Sequence, residues 1–183
     1  MGDIKMDAIT AISERKGIKK FHDQSLPKVI IENILDLATK APSCKNRQPW
    51  KFAIVQGDMI LELKDLVESS PKDLDIDLTC VENASAVIFV FNRLSRTEDD
   101  YSENKLIMDS LSIGSAIQNI LLVSETFKLG SLLVSDFIEL GDEVAEWLGE
   151  SDQLVSGILI GFPDENPKGR PKVHYSEVSK WYE

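Results

Sequence analysis

The chain has 183 residues, 43% of them apolar and 28% charged, values that are ordinary for a globular protein and that predict one domain spanning 1–183. Its formal net charge of −11 argues against nucleic acid as a partner, because duplex binding draws on Lys and Arg to neutralise phosphates. Two separated cysteines and two histidines argue against a disulfide framework and a metal centre, and favour a reducing compartment.

The periodicity of apolar residues predicts helices and strands in the first half of the chain. Pro27 near a helix start and the Ala41-Pro42-Ser43 break fix the bounds of the second helix. A continuous apolar run over 86–91 indicates a strand buried on both faces. The predicted elements, in order, are helices over 6–14 and 27–40, a strand over 50–56, a polar helix over 59–68 and the strand over 86–91.

The second half continues the alternation after a polar stretch, 92–104, which is expected to be a mobile surface segment. The longest helix is predicted over 102–128, and its apolar or small middle is expected to be buried on several sides. A strand over 132–134, a helix over 139–148 and a strand over 154–160 follow. Interleaved elements of this kind predict a sheet with helices on both sides.

Neither a membrane span nor a leader is expected. No run of apolar residues approaches the roughly 20 that cross a bilayer, and the first six residues lack the apolar stretch of a signal peptide. The prediction is a cytoplasmic protein.

The segment Arg15-Lys16-Gly17-Ile18-Lys19 is a basic cluster in an acidic chain. Arg offers a planar fork and Lys a point charge to a phosphate, and a turn with free backbone NH groups could complete the cradle. A solvated basic turn at the end of a helix has the same composition. A second basic cluster, Lys168-Gly169-Arg170-Pro171-Lys172, would complete an anion site if it lay nearby, and is otherwise a basic loop.

The segment 41–50, Ala-Pro-Ser-Cys-Lys-Asn-Arg-Gln-Pro-Trp, joins a helix to a strand. Ser43, Asn46 and Gln48 carry donors and acceptors that suit the edge of a heterocycle with carbonyls and ring nitrogens, although Ser and Asn also serve ordinary turns. Cys44 has no paired His or nearby helix N-terminus to activate it as a nucleophile. The sequence singles out no general acid–base pair.

Together these segments resemble the nitroreductase superfamily, whose N-terminal basic motif corresponds to Arg15 to Lys19. The family landmark Ala-Pro-Ser-x-x-Asn-x-Gln-Pro-Trp is matched fully by residues 41–50. Two more motifs follow in chain order. The closing strand and basic tail of the family correspond to Gly161-Phe162-Pro163 and Arg170. Before them, the family's central-helix pattern is matched by Asp109, Gly114, Ala116, Gln118, Asn119, Leu121 and Leu129-Gly130.

The resemblance implies an α+β fold with a central, mostly antiparallel sheet flanked by helices and a long buried central helix. It implies a homodimer with FMN at the interface and contacts from two groups of residues. Near the phosphate and ribityl chain these are Arg15, Lys16, Gly17, Lys19, Arg170 and Lys172. Near the ring they are Pro42, Ser43, Cys44, Asn46 and Gln48 from the other subunit, and Ser135 and Asp136.

The reaction implied is a two-step exchange, in which NADH or NADPH reduces FMN at N5 and a nitroaromatic, quinone or related small-molecule acceptor is then reduced. No catalytic side chain is assigned, because the flavin carries the chemistry. The chain departs from the family where Gly17 replaces a Ser and Lys19 an Arg, and residues 57–80 offer no counterpart of the Asn/Lys pair at the pyrimidine side. The alternatives are a specialised relative such as a reductive dehalogenase, with 92–104 as a substrate lid, and a flavin store or sensor without turnover.

Overall fold

The computed structural model describes residues 6–95, 97–98 and 100–183. One antiparallel sheet forms its centre, built from the strands β1 Phe21–His22, β2 Trp50–Val55, β3 Ala86–Asn92, β4 Gly130–Val134 and β5 Gln153–Pro163. The helices that surround it are α1 Ala8–Glu14, α2 Lys28–Ala38, α3 Met59–Glu68, α4 Leu78–Glu82, α5 Glu103–Thr126, α6 Gly141–Leu148 and α7 Tyr175–Val178.

Strand β5 organises the sheet. One edge of it pairs with β3, and β4 pairs with the opposite edge from Gly157 to Gly161. Its last two residues pair with β1, and β2 closes the other side of the sheet beyond β3. The central strands β3 and β5 therefore have hydrogen-bonded neighbours on both edges.

Strand β3 is buried along its whole length because helices cover both faces of the sheet. Its Val87, Phe89 and Phe91 join one apolar cluster with residues of α3, α4 and α6. Its Ala86, Ile88 and Val90 join a second cluster with α2 and α5. Alternate side chains of a strand point to opposite faces, so the continuous apolar run reflects two packed layers rather than one.

Helix α5 begins at an N-cap, Ser102, whose hydroxyl accepts from Lys105 N. It lies between α2 and the sheet on its inner side, where Ile113, Ala116 and Ile120 are fully buried. By length and composition it could span a membrane, with a mean hydropathy of 1.5 over its most apolar stretch. A core helix passes the same test.

The fold class is as expected, an antiparallel sheet between helical layers with one long helix. Each element expected from periodicity is present, with ends that differ by up to three residues. The helix expected over 139–148 begins at Gly141, after a 3-10 helix over Ser135–Leu140. Strand β1, helices α4 and α7 and the 3-10 turn Cys44–Asn46 were not predicted, since elements of two to five residues have too little periodicity to detect.

Two features of α5 and its neighbourhood add to the expectations. The helix is buried along its inner side, while one face is exposed in the single chain, where Ile107 and Leu111 are 59% and 65% exposed. The polar segment 92–104 has many contacts with the body of the protein, through Asn92, Glu98 and Tyr101. Arg96 and Asp99 of that segment lie outside the described residues.

Candidate functional site

The turn from Ser43 to Gln48 has an uncommon backbone. Lys45, Asn46 and Gln48 all have positive φ values, of 52°, 56° and 46°. L-residues other than Gly rarely adopt this region, and Lys and Gln have no local side-chain reason to do so. Within the turn, Ser43 Oγ accepts from Gln48 N at 3.1 Å, and Gln48 Nε2 donates to Asn46 Oδ1 at 3.1 Å. The polar side chains proposed to face a ring are thus already held to one another.

Helix α5 supplies the outer contacts of this turn. Arg47 donates from Nε and Nη2 to the two carboxylate oxygens of Asp109, at 2.8 and 2.9 Å. One turn further along the helix, Ser112 Oγ accepts from Cys44 N at 3.2 Å. Asp109 is fully buried and Arg47 is 17% exposed. Burial raises the pKa of Asp109, but hydrogen bonds from Arg47 and Tyr101 outweigh it and hold the pKa below its usual value.

The segment after β3 joins the same network. Tyr101 donates its hydroxyl proton to Asp109 Oδ2 at 2.9 Å and accepts from Asn92 Nδ2 at 2.7 Å. Glu98 lies 3.1 Å from Arg47 Nη1 and 3.0 Å from Lys105 Nζ. The hydrogen bonds of Lys105 and Arg47 lower the pKa of Glu98, so this carboxylate also stays ionised.

The basic segment lies along β4, where Gly17 forms a bridge with Ser131. Its backbone NH groups are less available than expected, because Ile18 N donates to Ser131 O while Lys19 N and Lys20 N donate to Glu165 Oε1. Main-chain donors of a phosphate cradle are therefore largely used within the chain. The helix before this segment ends at Glu14, as predicted.

The basic side chains of this segment are more available than its backbone. Within the described residues, the salt bridges use seven other Lys and Arg residues: Lys28, Lys40, Arg47, Lys51, Lys64, Lys72 and Lys105. Arg15, Lys16 and Lys19 take part in none of them, and the Lys16 ammonium donates to the neutral Asn166 at 2.7 Å. Glu165 bonds the backbone of this segment and Glu125 lies near Arg15 and Lys16, but neither forms a salt bridge with the three side chains, which leaves their charges available to an anion.

The remaining predicted site residues lie in two places. Ser135 and Asp136 begin the 3-10 helix directly after β4, and Asp136 Oδ2 accepts from Asp75 N at 3.1 Å. Arg170 and Lys172 lie in the exposed tail that follows β5, and they form no salt bridge with the described residues. Asn166 bonds Lys16, so the start of this tail lies beside the basic segment.

A single chain does not bring the two halves of the predicted site together. The Ser43–Gln48 turn contacts α5 at Ser112, whereas Arg15 and Lys16 lie near Glu125 at the far end of the helix. Thirteen residues of helix at 1.5 Å each separate these points by about 20 Å. Pro42, Ser43, Cys44, Asn46 and Gln48 therefore form one cluster, and the basic segment with the start of the tail forms another.

Comparison with known proteins bears on this arrangement directly. A model of the nitroreductase family matches residues 12–162, which contain the basic segment, the turn, α5 and most of β5. The chain belongs to the nitroreductase family. Residues 1–11 and the C-terminal tail with Arg170 and Lys172 lie outside the match.

Two relatives show the range of this family. The "Putative NADH dehydrogenase/NAD(P)H nitroreductase" of Methanothermobacter thermautotrophicus is 31% identical over 174 residues, covering 91% of this chain and 82% of its own length. An iodotyrosine deiodinase from Nematostella vectensis is 24% identical over 142 residues, covering 63% of this chain and 54% of its own length.

Solved structures of nitroreductases share the fold at low identity. The nitroreductase-like family protein of Bacillus cereus superposes with a TM-score of 0.83 at 22% identity, over 97% of each chain. The NADPH:FMN oxidoreductase of Vibrio harveyi, complexed with NAD+, has a TM-score of 0.80 at 21% identity, over 96% of this chain and 76% of its own.

Sequence reasoning missed the ionic network of this nitroreductase. Asp109 was noted as part of a family pattern without a role, and Arg47, Glu98 and Tyr101 were not assigned to the site. The signal that could have found it was Asp109, an acidic residue on the same side of α5 as the apolar Ile113 and Ala116. That side is buried, and a buried carboxylate requires a partner. Among the described residues, no group of three His, Cys, Asp or Glu side chains is placed to hold a metal ion.

Proposed function

We propose that this nitroreductase is an FMN-dependent NAD(P)H oxidoreductase that reduces small conjugated acceptors such as nitroaromatics and quinones. One observation carries the proposal: Arg15, Lys16 and Lys19 lie together beside β4, and none of their side chains forms a salt bridge with the described residues. Three neighbouring cations in a chain of net charge −11 suit a phosphate-bearing ligand such as FMN. The names of the related oxidoreductases agree with this assignment.

The chemical types of the side chains in the basic segment suit the phosphate of FMN. Arg15, Lys16 and Lys19 offer charge-assisted donors to a phosphate, with Gly17 between them. Arg170 and Lys172 lie on an exposed tail whose first residues contact the basic segment. The cradle is a side-chain cradle, since Glu165 occupies the NH groups of Lys19 and Lys20.

The ring would lie against the Ser43–Gln48 turn. Ser43, Asn46 and Gln48 present hydroxyl and amide groups that match carbonyl and ring-nitrogen edges, and Pro42 and Cys44 add apolar surface. Ser135 and Asp136, at the end of β4, would lie past the other side of the ring. When bound, FMN would supply the hydride exchange between nicotinamide and acceptor. The residues of this chain bind and orient it, and none is required to move a proton.

The two clusters would meet in a homodimer. About 20 Å of α5 separates them within one chain, but a second copy packed antiparallel on α5 would place the turn of one protomer beside the basic segment of the other. The exposed face of α5 suits such packing, because Leu106, Ile107 and Leu111 flank Gly114 and Ser115 along a groove of about 820 Å³. We propose that FMN binds at this interface.

Steady-state kinetics test the proposed activity. NADH or NADPH should be oxidised at a rate that depends on added nitrofurazone or menadione when FMN is fully bound. Reduction of neither acceptor would overturn the assignment. Flavin absorbance that neither nicotinamide bleaches would instead indicate a flavin store or sensor.

The phosphate site has a separate test with a matched control. Lys19→Ala removes an exposed lysine of the basic segment, and Lys28→Ala removes an exposed lysine at the start of α2. A charge-assisted hydrogen bond is worth roughly 1.5–3 kcal/mol, so Lys19→Ala should raise the FMN Kd about 10- to 100-fold. Equal FMN affinity in the two variants would mean that the phosphate lies elsewhere.

The similarity to an iodotyrosine deiodinase favours a second candidate, reductive dehalogenation of a halogenated aromatic. In this case 92–104 would lie over the substrate as a lid. Halide release from iodotyrosine under reducing conditions, without reduction of nitrofurazone, would support this candidate over the first.

A further inference from the structure

The Ser43–Gln48 turn needs support from outside itself. Left-handed backbone at a residue other than Gly costs of order 1–3 kcal/mol, and it persists only where the surroundings determine it. Three such residues occur within four positions here, Lys45, Asn46 and Gln48. The two internal hydrogen bonds from Gln48 join the ends of the turn and do not anchor it to the body of the protein.

Arg47 gives the turn its ion pair with the body of the protein, and Gln48 O also accepts from Arg93 Nε at 3.1 Å. Arg47 lies between Asn46 and Gln48, two of the residues with positive φ, and its guanidinium meets Asp109 with two parallel hydrogen bonds of 2.8 and 2.9 Å. A two-point contact of this kind fixes the plane and the direction of the side chain, which a Lys ammonium cannot do.

The side chain of Asp109 is held in place by hydrogen bonds as well as by its position on α5. This side chain is fully buried, and Oδ2 accepts from both Arg47 and Tyr101. A buried carboxylate without partners is strongly unfavourable, so Asp109 and Arg47 each require the other. Ser112, one turn along α5, adds a second anchor by accepting from Cys44 N at 3.2 Å.

We propose that Arg47 and Asp109 are positioning residues that hold the Ser43–Gln48 turn in the shape that receives the flavin ring. Their role rests on the proposed function, since it concerns the same site. Neither residue is required to contact the ring. The pair acts by fixing the φ values of Asn46 and Gln48, so that their amide groups point where FMN needs them before FMN arrives. Preorganisation of this kind raises affinity by removing the ordering cost at binding.

The test compares two variants of the pair with a control pair elsewhere. Arg47→Lys keeps the charge and loses the planar fork, while Asp109→Asn keeps the shape and loses the charge. Glu82→Gln breaks the Lys64–Glu82 salt bridge between α3 and α4, on the opposite face of the sheet from α5. For each full-length variant, the measurements are the FMN Kd, the visible circular dichroism of bound FMN and the apo melting temperature.

We expect Arg47→Lys to raise the FMN Kd about tenfold and to change the visible circular dichroism, since a displaced turn alters the asymmetry around the ring. Glu82→Gln should leave both at wild-type values. A role in stability alone would lower the apo melting temperature and leave the spectrum of bound FMN unchanged, and that result would overturn the proposal.

Asp109→Asn is the variant most at risk of failing to fold, because it leaves Arg47 with Glu98 alone. Tyr101→Phe then decides, since it removes one hydrogen bond from Asp109, together with the one that Asn92 donates to the hydroxyl, and retains the aromatic ring of residue 101. It should raise the FMN Kd and change the spectrum in the same direction as Arg47→Lys. Wild-type values in both Arg47→Lys and Tyr101→Phe would overturn the positioning role alone. A wild-type chain that does not bind FMN would overturn the proposed function as well.

Discussion

Gly157 in β5 lies against a buried aromatic pair. A Cβ at this position would come within 2.4 Å of Phe137 Cδ2 and 3.2 Å of Phe89 Cε1. The two rings are fully buried and meet edge to face with centroids 5.1 Å apart, so neither can move away freely. We predict that Gly157→Ala lowers the free energy of unfolding by about 1–3 kcal/mol through overpacking. Thermal denaturation beside Gly169→Ala, where a Cβ meets nothing within 4 Å, checks this, and equal melting temperatures would contradict it.

The two cysteines should differ in reactivity. Burial raises the pKa of Cys80 to about 12, so its thiol stays protonated at pH 8 and does not react as a thiolate. Cys44 is half-buried in the turn at the proposed flavin site. We predict one fast-reacting thiol per native chain with a disulfide reagent at pH 8, lost in Cys44→Ala, with Cys80 reacting only after unfolding.

The same reagent tests the position of Cys44. FMN should slow the labelling of Cys44 if this residue lines the ring, because the ligand would cover the thiol. Labelling at the same rate with and without saturating FMN would remove Cys44 from the site.

At the scale of elements, the contact between α5 and the turn should make stability depend on pH. The pKa of Asp109 is depressed in the folded state, so its stabilising effect is complete above the unfolded value of about 3.9. That effect is lost as pH falls from there through the folded pKa. Asp109→Asn should therefore be less stable than wild type at pH 7, with a difference that shrinks below about pH 4. Urea unfolding across this range measures it.

Asp58→Asn is the control for that pH series. Asp58 is exposed at the start of α3, and its side chain makes no cap hydrogen bond. Its substitution should change stability little at either pH. A difference for Asp109→Asn that stays constant from pH 7 to pH 3 would show that the carboxylate charge is not what stabilises the contact.

The elements also show what the sequence could predict. The apolar run of β3 and the apolar face of α2 predicted the core correctly, because buried positions require apolar side chains and this requirement shows in the sequence. The exposed face of α5 could not be distinguished from its buried face, since Leu111 and Ile113 are equally apolar and only the fold places one outward. The ion pair between Arg47 and Asp109 joins residues 62 positions apart, a distance over which local pattern carries no information.

At the scale of the whole molecule, the predicted site residues separate into two groups. Residues 41–50 were matched as a motif, and the structure keeps its polar side chains together at one end of α5. The basic segment lies at the other end, near Glu125. Spacing along a sequence gives no information on which protomer contributes a residue. The assignment of both groups to one flavin therefore depends on a dimer.

That dimer is the last prediction, and α5 provides its test. Leu111 is 65% exposed at the centre of the proposed interface, whereas Leu61 is 51% exposed on α3, whose buried side packs on the other face of the sheet. Wild type and Leu61→Glu should show about twice the chain mass of 20.5 kDa by light scattering at micromolar concentration. Leu111→Glu places a charge at the packed face, so we expect a monomer that no longer retains FMN. A monomeric wild type that still binds FMN would mean that one chain completes the site, and the turn and the basic segment could not then serve the same flavin.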